Sequence, residues 1–366
     1  MKIGVIGAGA ICRRAHLPAW KLIDDLEVAC LVDIDESLLK RVADEFEIHQ
    51  FTTDYRTILG DDSIQIVDIC TPTPTHYEIA MASVAAGKHV IIEKPLALSL
   101  GDALALYQEV MSGGSQFCII QNWRCLDSVA RVRERLAAGR LGRLVSVHGR
   151  SFTHLPVGWT RSRWPYHPDG VLYDFTPHLI DLVLWLANDR VRSVFAVGRQ
   201  FTEHADFLCA AQMVLDFEGG AVAQLDSSWI TNCPSFSVEL FGNGGYLVMN
   251  LLRDMFWEGH GSETPLDDLR CFLRKMVNLL HGIANGSLST KQLSVYKPLF
   301  EAFVESIVTG GEPPATIEQG VWVNVILEAA KRSIVSGERV PVQDVLLDAG
   351  ASRNAIEHLH RGDVST

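Results

Sequence analysis

Three features are missing from this chain of 366 residues, and each absence removes a class of function. There is no run of basic residues, and the net charge is −12, which argues against extended contact with a nucleic-acid backbone, because such binding rests on clustered Lys and Arg. The eight cysteines, at positions 12, 30, 70, 118, 125, 209, 233 and 271, form no CxxC pair and no spacing typical of a zinc site or a disulfide framework, so a reducing cytosol is the expected compartment. Finally, no basic segment followed by an apolar stretch and a cleavage site precedes the first strand-like run, so no signal peptide is read. The richest apolar stretch, 171–187, is too short to span a membrane and carries Asp174, His178 and Asp181. The expectation is a cytoplasmic protein with neither nucleic acid nor membrane as a partner, whose acidic surface serves solubility.

What is present reads as two domains, since the length exceeds the size at which one core keeps growing. The first 120 residues alternate short apolar runs with helix-length amphipathic segments, the pattern of a parallel sheet covered by helices. Strands are expected at 2–6, 27–32, 64–69, 89–92 and 116–120, with helices at 11–22, 36–46, 75–86 and 100–111. Beyond a helix at 128–138 the pattern changes to longer strand-like runs at 144–153, 191–200, 209–216, 221–228 and 235–241, separated by turns such as Glu218-Gly219-Gly220, which reads as an antiparallel sheet. One helix, 171–187, is embedded among them, and two more, 294–308 and 317–336, follow. The fold class expected is α/β: a domain over 1–122 with a parallel sheet, and an α+β domain over 123–366 with a largely antiparallel open sheet. Within the second domain, apolar residues at 266, 269, 273, 276, 280 and 283 form a helical stripe in an insertion at about 262–285. A packed helix, on the sheet or on a sister subunit, is favoured over a lid or a lipid-facing role.

Gly7-Ala8-Gly9 follows the first strand and precedes a helix, the setting in which backbone N–H groups meet a pyrophosphate at a helix N-terminus. Cys12 occupies the place of the usual third glycine, whose service is close helix–strand packing, so the helix is expected slightly displaced. Asp33 ends the second strand a little over 20 residues on, where a carboxylate accepts hydrogen bonds from the ribose hydroxyls and repels a 2′-phosphate. Its neighbour Ile34 supplies no guanidinium, so NAD is favoured over NADP. A turn and an acidic loop residue of an ordinary α/β fold is the rival reading.

Glu93-Lys94-Pro95 lies at the carboxyl end of the strand 89–92, where open α/β sheets place ligands, and Pro95 restricts the backbone of Lys94. A solvated strand-end charge explains Lys94 about as well. Asp174, His178 and Asp181, at i, i+4 and i+7 of one helix, project from one face. Three readings stay open for them: a satisfied core histidine with surface acids, a metal site, or an acid–base pair in which a carboxylate orients an imidazole.

The motifs, taken together, resemble the glucose-fructose oxidoreductase and inositol dehydrogenase family (Gfo/Idh/MocA), over nearly the whole chain. The motifs are Gly4-Val-Ile-Gly-Ala-Gly-Ala10 with His16-Leu-Pro-Ala19, Thr71-Pro-Thr-Pro-Thr-His76, Glu93-Lys-Pro95, Asn122-Trp-Arg124 and Asp169-Gly-Val-Leu-Tyr-Asp-Phe-Thr-Pro-His178. The resemblance implies a Rossmann domain followed by an α/β domain whose open sheet serves subunit association, giving a homodimer or homotetramer. It implies Lys94, Asp174 and His178 as the catalytic group. The cofactor-binding set expected is Gly7, Gly9, Ala10, Ile11, Asp33, Thr71, Pro72, Thr73, His76, Glu93, Lys94 and Asn122, with no metal. Cys12 and Asp169 stand where the family has glycine, and neither removes a proton-transfer group.

The reaction expected is hydride transfer between NAD and a secondary alcohol or ketone of a sugar, amino sugar, nucleotide sugar or cyclitol, with His178 taking the hydroxyl proton and Lys94 stabilising the oxygen. The polar, aromatic loop 159–167 offers Arg163 and Tyr166 for substrate, and Arg124 joins them. Two other classes compete: an NAD-dependent glycosidase that oxidises its sugar transiently, and a non-catalytic NAD-binding regulator. The intact Lys94, Asp174 and His178 set argues against the latter.

Overall fold

The computed structural model describes residues 1–154, 169–201, 207–259, 291–352, 356, 357 and 359. The insertion at 262–285 and the loop bearing Arg163 and Tyr166 lie outside the described residues. The chain divides into two compact units, Met1–Asn122 with Gln292–Asn324, and Trp123–Lys291 with Val325–Thr366.

The first unit holds six parallel strands, β1 (Lys2–Ile6), β2 (Glu27–Val32), β3 (Phe51–Thr52), β4 (Ile66–Ile69), β5 (His89–Ile92) and β6 (Phe117–Ile119), in the order β3-β2-β1-β4-β5-β6. The reversal of strand order beside β1 is the switch point at which such sheets bind ligands beyond their carboxyl ends. Every residue of β4 is buried, as expected of a strand covered on both faces. The connecting helices begin where the sequence supplies caps. Asp35 accepts from the N–H groups of Ser37 and Leu38 at the start of the helix Glu36–Glu45, and Ser99 accepts from Asp102 N–H at the start of Leu100–Ser112.

The segment after β1 departs from a plain helix. Cys12 is fully buried, and Cys12–His16 winds as a π-helix in which Leu17 N–H reaches Cys12 O, before Leu17–Trp20 continues as α-helix. The returning segment 292–324 packs in this unit by large apolar groups: Phe300 is fully buried and stacks on Trp20 at 4.1 Å. Gly320, in the helix Ile317–Ser336, is required by close approach, since a Cβ there would lie 1.9 Å from Ile119 Cδ1.

The second unit is built on an eight-stranded sheet: β7 (Leu144–His154), β8 (Val191–Arg199), β9 (Ala210–Phe217), β10 (Val222–Ser228), β11 (Ile230–Gly242), β12 (Tyr246–Asn250), β13 (Met255–Gly259) and β14 (Val340–Pro341), ordered β13-β12-β11-β7-β10-β9-β8-β14. All pairs are antiparallel except β10 with β7. Along β7 the residues Val147, Gly149 and Ser151 are buried while His148 and Arg150 are exposed, so one face is covered and the other open. The helix Thr176–Ala187 lies against the covered face, where a Cβ at Gly149 would come within 2.8 Å of Leu179 and Leu225. Leu179, Ile180, Leu182 and Val183 are fully buried, each contributing about 1.5–3 kcal/mol.

One helix differs from its expected form. In place of a continuous helix over 171–187, a 3₁₀ turn, Gly170–Tyr173, is followed by a break at Asp174 (φ −98°, ψ −86°) and an α-helix from Thr176. Pro177 has no N–H to bond Tyr173 O, and the Thr176 hydroxyl donates to Val171 O, so the local bonds close a turn instead of continuing the helix through Asp174. Asp174 therefore does not share a helix face with His178 and Asp181.

Candidate active site

In the first unit the loops after β1, β2, β4 and β5 carry the expected cofactor residues. Gly7 has φ +102°, and a Cβ there would meet Cys70 C and Thr71 N at 2.9 Å, so only glycine lets the turn rest on the end of β4. Gly7 N–H donates to Val32 O at 2.7 Å and Ala8 N–H to Asp33 Oδ2 at 2.7 Å, which ties the turn to the end of β2. The other Asp33 oxygen accepts from Asp35 N–H at 2.9 Å, so the carboxylate is oriented before any ribose arrives. Ala10 is exposed and Gly9 and Ile11 are half-buried, and a Cβ at Gly9 would meet nothing within 4 Å among the described residues. Ile34, beside Asp33, is 93% exposed.

The β4 and β5 loops are stapled together by His76, whose ring nitrogens lie 2.9 Å from both Pro95 O and Thr71 O. Burial pushes this imidazole below the ordinary histidine range; a neutral ring donates to one carbonyl and rests against the other. Thr73 is buried, Pro72 is exposed, and the Thr75 hydroxyl sits between Thr71 Oγ1 at 2.8 Å and Pro72 O at 2.9 Å. Glu93 Oε1 accepts from His16 Nε2 at 3.1 Å and from the Tyr296 hydroxyl at 3.0 Å, while Oε2 accepts from Lys94 N–H at 3.2 Å. The Lys94–Pro95 peptide is cis. Asn122 is buried, and its Oδ1 has no partner among the described residues.

A dinucleotide fits this set: the outer face of the glycine turn is open to the described residues, a carboxylate waits at the ribose position, and a buried amide oxygen has no partner among the described residues. Sequence reasoning missed the partners behind it. His16 stands in a quoted motif, but nothing in the pattern links it to Asp68, Glu93 and Tyr296.

In the second unit Asp174 and His178 are both buried, 6% and 7% exposed. Asp174 Oδ2 accepts from the Trp229 indole N–H at 3.2 Å, a partner that no motif signals. His178 packs in an aromatic group, its ring centroid 6.4 Å from Trp123 and 5.9 Å from Phe175, both of which also meet Phe236. Asp169 forms an ion pair with Lys331 at 3.1 Å, and Gly170 (φ +39°) cannot carry a side chain, because a Cβ would sit 2.2 Å from Leu208 O. Asp169 thus anchors the start of this turn through its ion pair with Lys331.

Asp181 is drawn away from His178. Its carboxylate takes Arg124 Nε at 2.8 Å and also Nη2, and the Arg124 guanidinium lies over the Trp185 ring at 4.8 Å. Arg124 therefore braces the helix Thr176–Ala187 from within, and a substrate contact would have to compete with Asp181.

Comparison with known proteins places these two halves in a common setting. Residues 1–120 match a family model described as an oxidoreductase family with an NAD-binding Rossmann fold, and residues 129–248 match the GFO/IDH/MocA C-terminal domain, together about two thirds of the chain. The chain is similar to a 1,5-anhydro-D-fructose reductase of Ensifer adhaerens, with 25% identity covering 93% of this chain and 98% of that one. It is also similar to an inositol 2-dehydrogenase of Saccharopolyspora erythraea, with 29% identity covering 94% and 96%. Among solved structures, a levoglucosan dehydrogenase in complex with NADH superposes with a TM-score of 0.80 at 22% identity, covering 93% of this chain and 99% of that one.

Proposed function

The chain belongs to the Gfo/Idh/MocA family of oxidoreductases, and from that premise we propose that it is an NAD-dependent dehydrogenase acting on a secondary alcohol or ketone of a sugar or cyclitol. The observation that carries the cofactor is the Asp33 carboxylate, held at the end of β2 by the N–H of Ala8 inside the glycine turn. A ribose diol satisfies its remaining lone pairs, and a 2′-phosphate would meet a fixed negative charge with Ile34, not a guanidinium, next to it in the chain. Relatives named for inositol and for an anhydro sugar support the substrate class.

NAD would supply the hydride acceptor at this site. Gly7, Gly9, Ala10, Ile11 and Asp33 would hold its phosphates and ribose; Thr71, Pro72, Thr73, His76, Glu93 and Asn122 would line its nicotinamide end. On the substrate side His178 takes the proton of the reacting hydroxyl at a ring nitrogen, which burial and the surrounding aromatic rings keep away from bulk water. Asp174, oriented by Trp229, holds the imidazole or the adjacent hydroxyl. The Lys94 ammonium donates to the same oxygen and stabilises its developing charge. Ketone reduction uses the same groups in reverse. The open face of the second unit's sheet, with Phe195, Val197 and Val214 lining a concavity of about 320 Å³, supports a homodimer or homotetramer. Cysteines that remain free thiols among the described residues support a cytoplasmic location.

The test follows NADH formation at 340 nm across cyclitols, aldoses, amino sugars and nucleotide sugars, and repeats it with Lys94→Met and His178→Ala. Each variant should lose about 10² to 10⁴ in turnover while binding NAD nearly as well as the parent. Full activity in both would remove the assignment.

A further inference from the structure

Behind Glu93 lies a buried polar cluster that the proposed chemistry does not use. The His16 ring is fully buried. Its Nδ1 lies 3.0 and 2.9 Å from the two oxygens of Asp68, and its Nε2 lies 3.1 Å from Glu93 Oε1. The Trp20 indole N–H also donates to Asp68 Oδ2, at 2.7 Å. Tyr296, from the helix Lys291–Thr309, donates its hydroxyl to Glu93 Oε1. Tyr296 and Phe300 flank the imidazole at 5.2 and 5.4 Å between centroids.

We propose that His16 is the positioning residue of the Glu93-Lys94-Pro95 turn: an imidazolium at neutral pH, held between Asp68 and Glu93, that keeps the Glu93 carboxylate ionised and fixed against the main chain of Lys94. An ionised carboxylate only accepts, so a ring with a carboxylate on each nitrogen carries a proton on each and is a cation. Two buried carboxylates within reach of one ring need that cation, because an unpaired buried charge neutralises itself by taking a proton. Burial alone would push the imidazole down, but the Asp68 charge and the hydrogen bonds to Asp68 and Glu93 carry it up to about 10.

His16, Asp68 and Cys70 also present three metal-ligand atoms to one another. The proton is the better occupant: the Cys70 thiol, 3.0 Å from Nδ1, is pushed well above the ordinary thiol range by burial, by its hydrogen bond with Cys12 and by the charge of Asp68. The titratable groups facing His16 are thus Asp68 of β4 and Cys70 just after it, Cys12 of its own turn, Glu93 beyond β5 and Tyr296. Lys94 and Glu93 in turn act on His76.

The inference rests on Lys94 being part of the active site, and its test separates the two. In the ¹⁵N-labelled protein, His16, assigned by comparison with His16→Asn, should show two ring N–H groups at pH 8.5, a reading that needs no turnover. In kinetics, His16→Gln should lower kcat about 10- to 100-fold, the loss of a charge-assisted hydrogen bond, and add an acid-side ionisation to kcat/KM, because burial without its cation pushes Glu93 towards the protonated form. Combining it with Glu93→Gln should abolish that new limb. Tyr296→Phe, which keeps the ring packing, should lower kcat about 2- to 12-fold with a smaller change of profile and little change in melting temperature. A neutral His16 ring at pH 8.5, an unchanged profile in His16→Gln or Tyr296→Phe, or stoichiometric zinc uptake by the wild-type protein would each overturn the proposal. An active Lys94→Met variant with two His16 N–H groups would refute the catalytic reading alone.

Discussion

Replacing Arg124 by Met strips the Asp181 carboxylate of its neutralising partner inside the second unit. The two side chains are 5% and 2% exposed, and Asp181 receives both Nε and Nη2 of the guanidinium. Burial pushes the Asp181 carboxyl up even with Arg124 pulling the other way, so a carboxylate left alone would take a proton instead of staying charged. Removing one partner of such a pair costs about 3–5 kcal/mol, and the contact with the Trp185 ring adds about 0.5–2 kcal/mol, part of which the Met side chain retains. In a unit of about 200 residues each kcal/mol moves the midpoint by about 2–4 °C, so loss of the ion pair alone should make Arg124→Met melt about 6–20 °C lower. The double variant Arg124→Met with Asp181→Leu removes both charges and should recover most of the loss, because apolar replacement of a buried pair is often neutral. Calorimetry and urea unfolding of the wild type, the two single variants and the double variant measure this directly. An Arg124→Met protein within about 1 kcal/mol of wild type, well short of the buried-pair cost, or a double variant whose loss equals the sum of the singles, would refute the reasoning.

Gly7→Ala places a Cβ 2.9 Å from the main chain of Cys70 and Thr71 at a backbone angle of φ +102°, a strain of about 1–3 kcal/mol; titration calorimetry should show NAD binding weakened by about tenfold or more. Trp229→Phe takes one N–H from Asp174 and keeps the aromatic packing on Phe207; kcat/KM should fall about 10- to 100-fold with a small change in melting temperature, and an unchanged value would remove Trp229 from the site. The folded-state pKa of His16 lies near 10, above its unfolded 6.5, so its contribution to stability is complete below about pH 6.5 and is lost as pH rises through 10. The urea midpoint should therefore fall between pH 7 and 10, and His16→Asn should flatten that fall.

The limits β1, β2 and β5 take in the structure were legible from their apolar runs, as were the helices that follow a cap such as Asp35 or Ser99. The two-residue strands β3 and β14 and the hairpin β12–β13 gave no such signal, since short half-buried strands lack a long enough alternation to read. The break at Asp174 was hidden by a pattern that fits a helix: periodicity reports which side chains are apolar, while Pro177 and the Thr176 hydroxyl decide the backbone. Candidate site residues were legible where a motif names them. Their supports were not, because His16, Asp68, Glu93 and Tyr296 meet only through tertiary packing, as do Arg124 with Asp181 and Trp229 with Asp174.

The most direct measurement is a crystal structure of the ternary complex with NADH and a substrate found in the screen. The account predicts the reacting oxygen within about 3.2 Å of both Lys94 Nζ and a ring nitrogen of His178, with the adenosine ribose on Asp33. A substrate oxygen bound to only one of the two groups, or an imidazole turned away from it, would contradict the account.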